Sequence, residues 1–212
     1  MDRFREPVNG FTHLAGAILG LVGLIWLIML TYNDPAKMIS IIVYGVSLVL
    51  LYLASAAFHL IKGSARTILW LKRFDHAAIY ALIAGSYTPI CYNLLTGGWR
   101  WGMLSTIWAF ALLGIIFKLF FLRESGHLST LFYVGMGCSA LLALPELAAR
   151  LSPGAFALLI GCGLSYLIGV IVFSLEKPNL HPHFGYHELW HIFVLGGSTF
   201  HFMAVLLYVV PS

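Results

Sequence analysis

The sequence predicts an all-α integral membrane protein, folded as a seven-transmembrane helix bundle. Three observations support this fold class. Apolar residues make up 60% of the 212-residue chain and charged residues 9%, whereas about a quarter of the residues in a soluble domain are charged. The apolar residues form seven runs, each near the roughly 20 residues that cross a bilayer as a helix. Turn-forming or charged residues separate the runs.

Each predicted span is bounded by residues that interrupt a membrane helix. The first span is too long for a signal-peptide core and no small-residue cleavage site follows it, so we expect it to be retained. Short connections without a linker or clear repeat favour one domain, residues 1–212, with consecutive helices antiparallel. The predicted spans are 11–32, 37–60, 75–95, 101–122, 128–147, 156–175 and 187–210. The breaks are Asn33-Asp34-Pro35, Lys62-Gly63-Ser64-Ala65-Arg66, Thr96-Gly97-Gly98, Arg123-Glu124-Ser125-Gly126, Ser152-Pro153-Gly154 and Lys177-Pro178-Asn179.

The basic residues predict the orientation. Lys and Arg are enriched on the cytoplasmic side of membrane proteins. With the N-terminus in the cytoplasm and the C-terminus outside, nine of the twelve fall inside and three outside. The inner set is Arg3, Arg5, Lys62, Arg66, Lys72, Arg73, Lys118, Arg123 and Lys177, and the outer set is Lys37, Arg100 and Arg150.

Charge and cysteine usage argue against a nucleic-acid-binding protein and against a disulfide-stabilised fold. The net charge of +4 is spread over the loops and forms no basic patch, so we expect no nucleic-acid partner. The three cysteines lie in apolar runs without a CxxC pattern and predict no disulfide framework. We expect membrane lipids as partners, and the sequence indicates neither a protein partner nor an oligomeric state.

Three histidines form a candidate metal site. His187 and His191 lie four residues apart, on one face of a helix and roughly 6 Å from each other. The predicted topology brings His59, at the cytoplasmic end of the second span, to the same depth. Three neutral imidazoles leave a fourth tetrahedral position for water, as in catalytic zinc sites. Zinc lowers the pKa of bound water from roughly 15.7 to about 7, which makes hydroxide available near neutral pH.

Other polar residues are predicted at the same depth. Asp75 is the candidate to orient the water and take its proton, and Ser55 the candidate to donate a hydrogen bond to a ligand, to Asp75 or to a substrate oxyanion. Glu6, Asn9 and His13 approach the site from the start of the first span and are candidate supporting residues. Structural alternatives stay open for each of these residues. Asp75 could cap a helix N-terminus, Ser55 could stabilise helix packing, and the histidines could hydrogen-bond to nearby backbone.

Glu188 completes a literal His-Glu-x-x-His sequence with the histidine pair. In metalloproteases this pattern places the glutamate as general base beside zinc. The alternative is a glutamate in the first turn of the last helix, where a negative charge suits the helix dipole.

The motifs at these positions together resemble a known family. They are Glu6-Pro7-Val8-Asn9 with Thr12-His13, Ser55-Ala56-Ala57-Phe58-His59, Phe74-Asp75-His76 followed by Gly85-Ser86-Tyr87-Thr88-Pro89, and His187-x-x-x-His191. Over nearly the whole chain the sequence resembles the hemolysin III family. This is the bacterial branch of the progestin and adipoQ receptor (PAQR) family, which is grouped with alkaline ceramidases.

The resemblance implies a zinc site in a seven-helix bundle with a cytoplasmic N-terminus. It implies zinc held by His59, His187 and His191, with Asp75 near the zinc through water and Ser55 beside the site. In the family this histidine pair binds zinc without an established role for the position of Glu188 as base, which disfavours a metalloprotease. Relatives include hormone-type receptors and ceramidases, and the bacterial branch is tied to membrane-lipid homeostasis.

We expect a zinc-dependent hydrolase of a lipid amide or ester, in the bacterial cytoplasmic (inner) membrane. The alternative is a non-catalytic membrane-state sensor or receptor in which zinc is structural. A pore-forming cytolysin is disfavoured, because the apolar runs carry no polar stripe of the kind that lines an aqueous pore.

Overall fold

The chain forms seven long helical segments in the parts described by a computed structural model, residues 4–121, 127–181 and 184–212. The predicted seven-helix fold class is confirmed. Arg3 and Arg123 of the charge count and the predicted break at 123–126 lie outside the described residues. The segments are α1 Pro7–Thr31, α2 Pro35–Leu60, α3 Ala65–Leu94, α4 Gly97–Ile116, α5 His127–Cys138, α6 Pro153–Leu175 and α7 Tyr186–Ala204.

Three segments continue in a different helical geometry. A π-helical turn, Phe117–Phe121, extends α4, and another, Val205–Val209, extends α7. After α5 comes a 3-10 turn, Ser139–Ala143, and then a helical stretch, Leu144–Arg150. At this break the Tyr87 hydroxyl of α3 accepts a hydrogen bond from the backbone N–H of Ala140 at 2.8 Å. The same hydroxyl lies 2.6 Å from the carbonyl oxygen of Gly137, so α3 pairs with backbone groups of the interrupted helix.

The residues that break the apolar runs also start the helices. Asp34, Ser64 and Ser152 cap α2, α3 and α6, each accepting a hydrogen bond from the backbone N–H three residues later at 3.0–3.2 Å. Such side chains satisfy backbone donors that the first helical turn leaves without a partner. Proline begins α1, α2 and α6, where it needs no backbone donor.

The third helix begins before the predicted span. It starts at Ala65 after the Ser64 cap, not at Asp75, so the alternative that Asp75 is an N-cap is wrong. Hydropathy marks where the chain meets hydrocarbon, whereas a helix extends into the interface wherever its side chains reach water. There the Arg73 guanidinium lies over the Trp70 ring, 4.9 Å from its centroid.

The packing order brings the first and last helices together. Each of α1, α2 and α3 packs against the next helix, α6 packs against α7, and α7 returns to α1. Six of the seven described segments are long and apolar enough to cross a membrane, when α5 is taken together with the helical residues that follow it to Arg150. The exception is α3. The start of α1, the end of α2 and the start of α7 therefore meet at one end of the bundle.

The orientation of this bundle in the membrane stays a prediction. If the end with the histidines is cytoplasmic, a reporter active only in the cytoplasm should work when fused before Met1. It should fail when fused after Ser212, because an odd number of spans separates the two ends. Activity at Ser212 with none at Met1 would invert the placement of the site.

Candidate metal centre

Three histidine rings come together at one end of the bundle. His59 lies in the last turn of α2, and His187 and His191 lie in the first two turns of α7. Their candidate ligand nitrogens all lie within 4.8 Å of one another, and their ring centroids are 4.8–5.1 Å apart. His59 and His191 are buried and His187 is half-buried. In the described parts of the chain, this cluster can hold a metal ion.

Glu6 joins the segment before α1 to His59. Its Oε2 lies 2.5 Å from Nδ1 of His59, and its backbone N–H donates to the His59 carbonyl at 2.9 Å. Arg5 contacts the other Glu6 oxygen at 3.3 Å and covers the Phe58 ring, 4.3 Å from its centroid. The hydrogen bond with His59 lowers the pKa of the Glu6 carboxyl to about 2, while burial opposes that shift. Glu6 is therefore ionised at neutral pH.

Asn9 joins the first turn of α1 to the first turn of α7. Its Nδ2 donates to Oε1 of Glu188 at 2.8 Å, and the backbone N–H of Gly185 donates to Oε2 of the same carboxylate at 2.7 Å. Both Glu188 oxygens are thus engaged in starting α7 and tying it to α1. This arrangement favours the first-turn interpretation of Glu188 over a role as metalloprotease base.

His13 and Ser55 form a buried pair beside the cluster. Nδ1 of His13 lies 2.8 Å from Oγ of Ser55, so the partner of Ser55 is neither a cluster histidine nor Asp75. The His13 ring stacks on the His191 ring, with centroids 3.7 Å apart and planes inclined by 13°. Both members of the pair are at most 3% exposed, and Nε2 of His13 has no hydrogen-bond partner among the described residues. α1 thus contributes a fourth imidazole directly behind a candidate ligand.

Asp75 does not belong to the group of His59, His187 and His191. It is a half-buried residue in the interior of α3, and one of its oxygens is 3.4 Å from Nδ1 of His76, which also contacts the Lys72 carbonyl at 2.8 Å. A role of Asp75 toward a metal through water therefore stays a prediction.

Two aromatic contacts at the site were not predicted. The Phe173 ring of α6 lies 5.6 Å from the His187 ring, and the Tyr52 ring of α2 lies 5.0 Å from the His13 ring. Phe173 sits in an apolar run without any polar pattern, so the sequence carries no sign of its contact. Tyr52 lies seven residues before His59, two helical turns away on the same face, which is a pattern that could have identified it.

Comparison with known proteins supports the family resemblance that the sequence motifs indicate. A family model described as Haemolysin-III related matches residues 1–202. Hemolysin-3 of Bacillus cereus is 41% identical over 209 residues, covering 98% of this chain and 93% of that protein. The Hemolysin-3 homolog of Bacillus subtilis (strain 168) is 39% identical over 207 residues, covering 97% and 94%. Monocyte to macrophage differentiation factor of Homo sapiens is 28% identical over 218 residues, covering 99% and 86%. With a family match over most of its length, this chain belongs to the hemolysin III family of membrane proteins.

Proposed function

We propose that this protein is a zinc-dependent hydrolase of a lipid amide or ester, resident in the bacterial cytoplasmic membrane and contributing to membrane-lipid homeostasis. The observation that carries the proposal is the cluster of His59, His187 and His191, with ligand atoms within 4.8 Å of one another at the end of a membrane bundle. Ionisable groups in membrane helices are costly, and they mark functional sites for that reason.

The donor set fits zinc. Imidazole nitrogens are common zinc ligands, and three protein ligands with an open fourth position are typical of catalytic rather than structural sites. His191 is 2% exposed, and its Nδ1 has no hydrogen-bond partner among the described residues. When bound there, zinc would act as a Lewis acid and lower the pKa of water at the site.

The residues around the cluster supply the remaining functions of a hydrolase. Asp75 would orient the attacking water and accept its proton, and general-base assistance of this kind contributes a factor of about 100–10,000 in rate. Ser55, held by His13, would donate a hydrogen bond to the oxyanion that forms at the scissile carbonyl. We infer a lipid substrate because the cluster lies in a bundle whose exposed helix faces are largely apolar, as expected of a protein surrounded by acyl chains.

A second candidate function is a sensor or receptor in which zinc is structural. A metal held by these histidines would connect α2 to α7, two helices distant in sequence, and so would stabilise the closed bundle. The named relatives include Hemolysin-3, but a cytolytic pore is disfavoured here because the exposed faces of the described helices are largely apolar.

Turnover by pure protein separates the enzyme from the sensor. We expect the detergent-solubilised, zinc-loaded protein to hydrolyse a lipid amide or ester from a panel of such substrates. Chelation should abolish the reaction and added zinc should restore it, because the metal supplies the Lewis acid. A zinc-loaded, folded protein that turns over no lipid in the panel would leave the sensor as the better proposal.

A further inference from the structure

Of the three cluster histidines, His59 is the one whose ring contacts a carboxylate among the described residues. An imidazole can bind a metal through either nitrogen, and the hydrogen bond at one nitrogen decides which one is free. Oε2 of Glu6 occupies Nδ1 of His59 at 2.5 Å, which leaves Nε2 for a metal. Nδ1 of His191, by contrast, has no hydrogen-bond partner in the described parts of the chain.

Glu6 is itself held in place from two directions. Its backbone N–H donates to the carbonyl of His59 at 2.9 Å. Glu6 therefore contacts both the ring and the backbone of His59. Arg5 contacts the second carboxylate oxygen at 3.3 Å and is fixed over the ring of Phe58. Both carboxylate oxygens of Glu6 are therefore engaged by neighbouring side chains, one by His59 and the other by Arg5.

We propose that Glu6 is a positioning residue of the metal centre, which fixes the His59 ring with Nε2 toward the metal. The inference rests on the zinc site of the proposed function and adds the residue that sets its geometry. A carboxylate that accepts a hydrogen bond from a ligating imidazole fixes its tautomer and raises its basicity, and loss of such a partner costs about 10–100-fold in metal affinity.

The test measures zinc affinity in matched variants of the full chain. Glu6→Gln keeps an acceptor and loses the charge, whereas Glu6→Ala loses both. The Arg5 side chain is 23% exposed, so its guanidinium keeps access to water in both variants, whereas Nδ1 of the buried His59 loses its partner in Glu6→Ala. The control is Glu146→Gln, the same change in a carboxylate that contacts Arg150 at 2.7 Å on the helical stretch after α5.

We expect zinc competition against a chelator to give affinities about 10–100-fold weaker for Glu6→Ala, an intermediate loss for Glu6→Gln and no change for Glu146→Gln. The visible spectrum of the cobalt-substituted protein provides a second readout, since it reports donor identity and geometry. It should change in Glu6→Ala when every site is loaded, whereas a purely structural role of Glu6 would leave the spectrum unaltered.

Two results would overturn the role of Glu6 alone. One is an unchanged zinc affinity in Glu6→Ala. The other is a weaker affinity matched by a lower unfolding temperature of the metal-free protein, with an unaltered cobalt spectrum, because Glu6 would then only stabilise the fold. A folded wild-type chain that binds no zinc would overturn the metal centre itself, and the proposed function with it.

Discussion

Replacing His191 by alanine should remove most of the zinc from the purified protein. His191 supplies one of the three candidate ligands and is 2% exposed, so no solvent-exposed group takes its place without rearrangement of the bundle. The loss should exceed the roughly 10–100-fold that removal of an outer partner costs, because a direct ligand is lost. The measurement is zinc per chain after purification with a defined free zinc concentration.

His201→Ala is the matched control for that variant. His201 is also a buried histidine of α7, and its ring packs on Tyr44 at 4.8 Å instead of joining the cluster. We expect His201→Ala to keep its zinc, even though removing a buried ring lowers its stability. Equal zinc content in the folded His191→Ala and wild-type proteins would show that His191 is not a zinc ligand and that the proposed site is wrong.

Replacing Asp75 by asparagine should preserve zinc and abolish most of the lipid hydrolysis. The amide is nearly isosteric with the carboxylate, so the packing of α3 can survive. It cannot accept a proton from water, a role worth a factor of about 100–10,000 in rate. Zinc content and turnover are measured on the same preparation, with Asp34→Asn as control. Asp34 caps α2, and asparagine is an equally good N-cap.

The outcomes of the Asp75 experiment separate three accounts of the site. Zinc retained with activity lost supports the general base. Zinc lost from a folded protein would make Asp75 a direct ligand and the three-histidine site incomplete. Zinc retained with unchanged activity, or with an unchanged membrane phenotype, would argue against Asp75 as the base and favour a structural role for the metal.

The sequence predicted the parts of this molecule that follow from hydropathy and local spacing. The seven apolar runs predict seven helices, and the spacing of His187 and His191 places two imidazoles on one helical face. The grouping of His59 with that pair required only the alternation of span direction, because equal depth in an antiparallel bundle brings residues to one end. The structure places the three residues together as that argument predicts.

The start of α3 and the hydrogen-bond partners of the site residues could not be predicted, because they depend on tertiary contacts that hydrophobic periodicity does not encode. Hydropathy placed the start of the third span at Asp75, although the helix runs back to Ala65 through charged residues. It could not choose the partner of Ser55, because His13 belongs to another helix, 42 residues away. The sequence names Glu6 as a candidate supporting residue and leaves two roles open for Glu188, but the nitrogen atoms that each carboxylate engages depend on how α1 packs against α2 and α7.

Metal analysis of the purified wild-type protein tests the central claim most directly. The chain should retain about one zinc ion, the number that three clustered imidazoles can hold. The protein should retain this zinc ion through gel filtration and release it to a strong chelator. A folded wild-type protein that takes up no transition metal under zinc-replete conditions would contradict the account of the site and the hydrolase built on it.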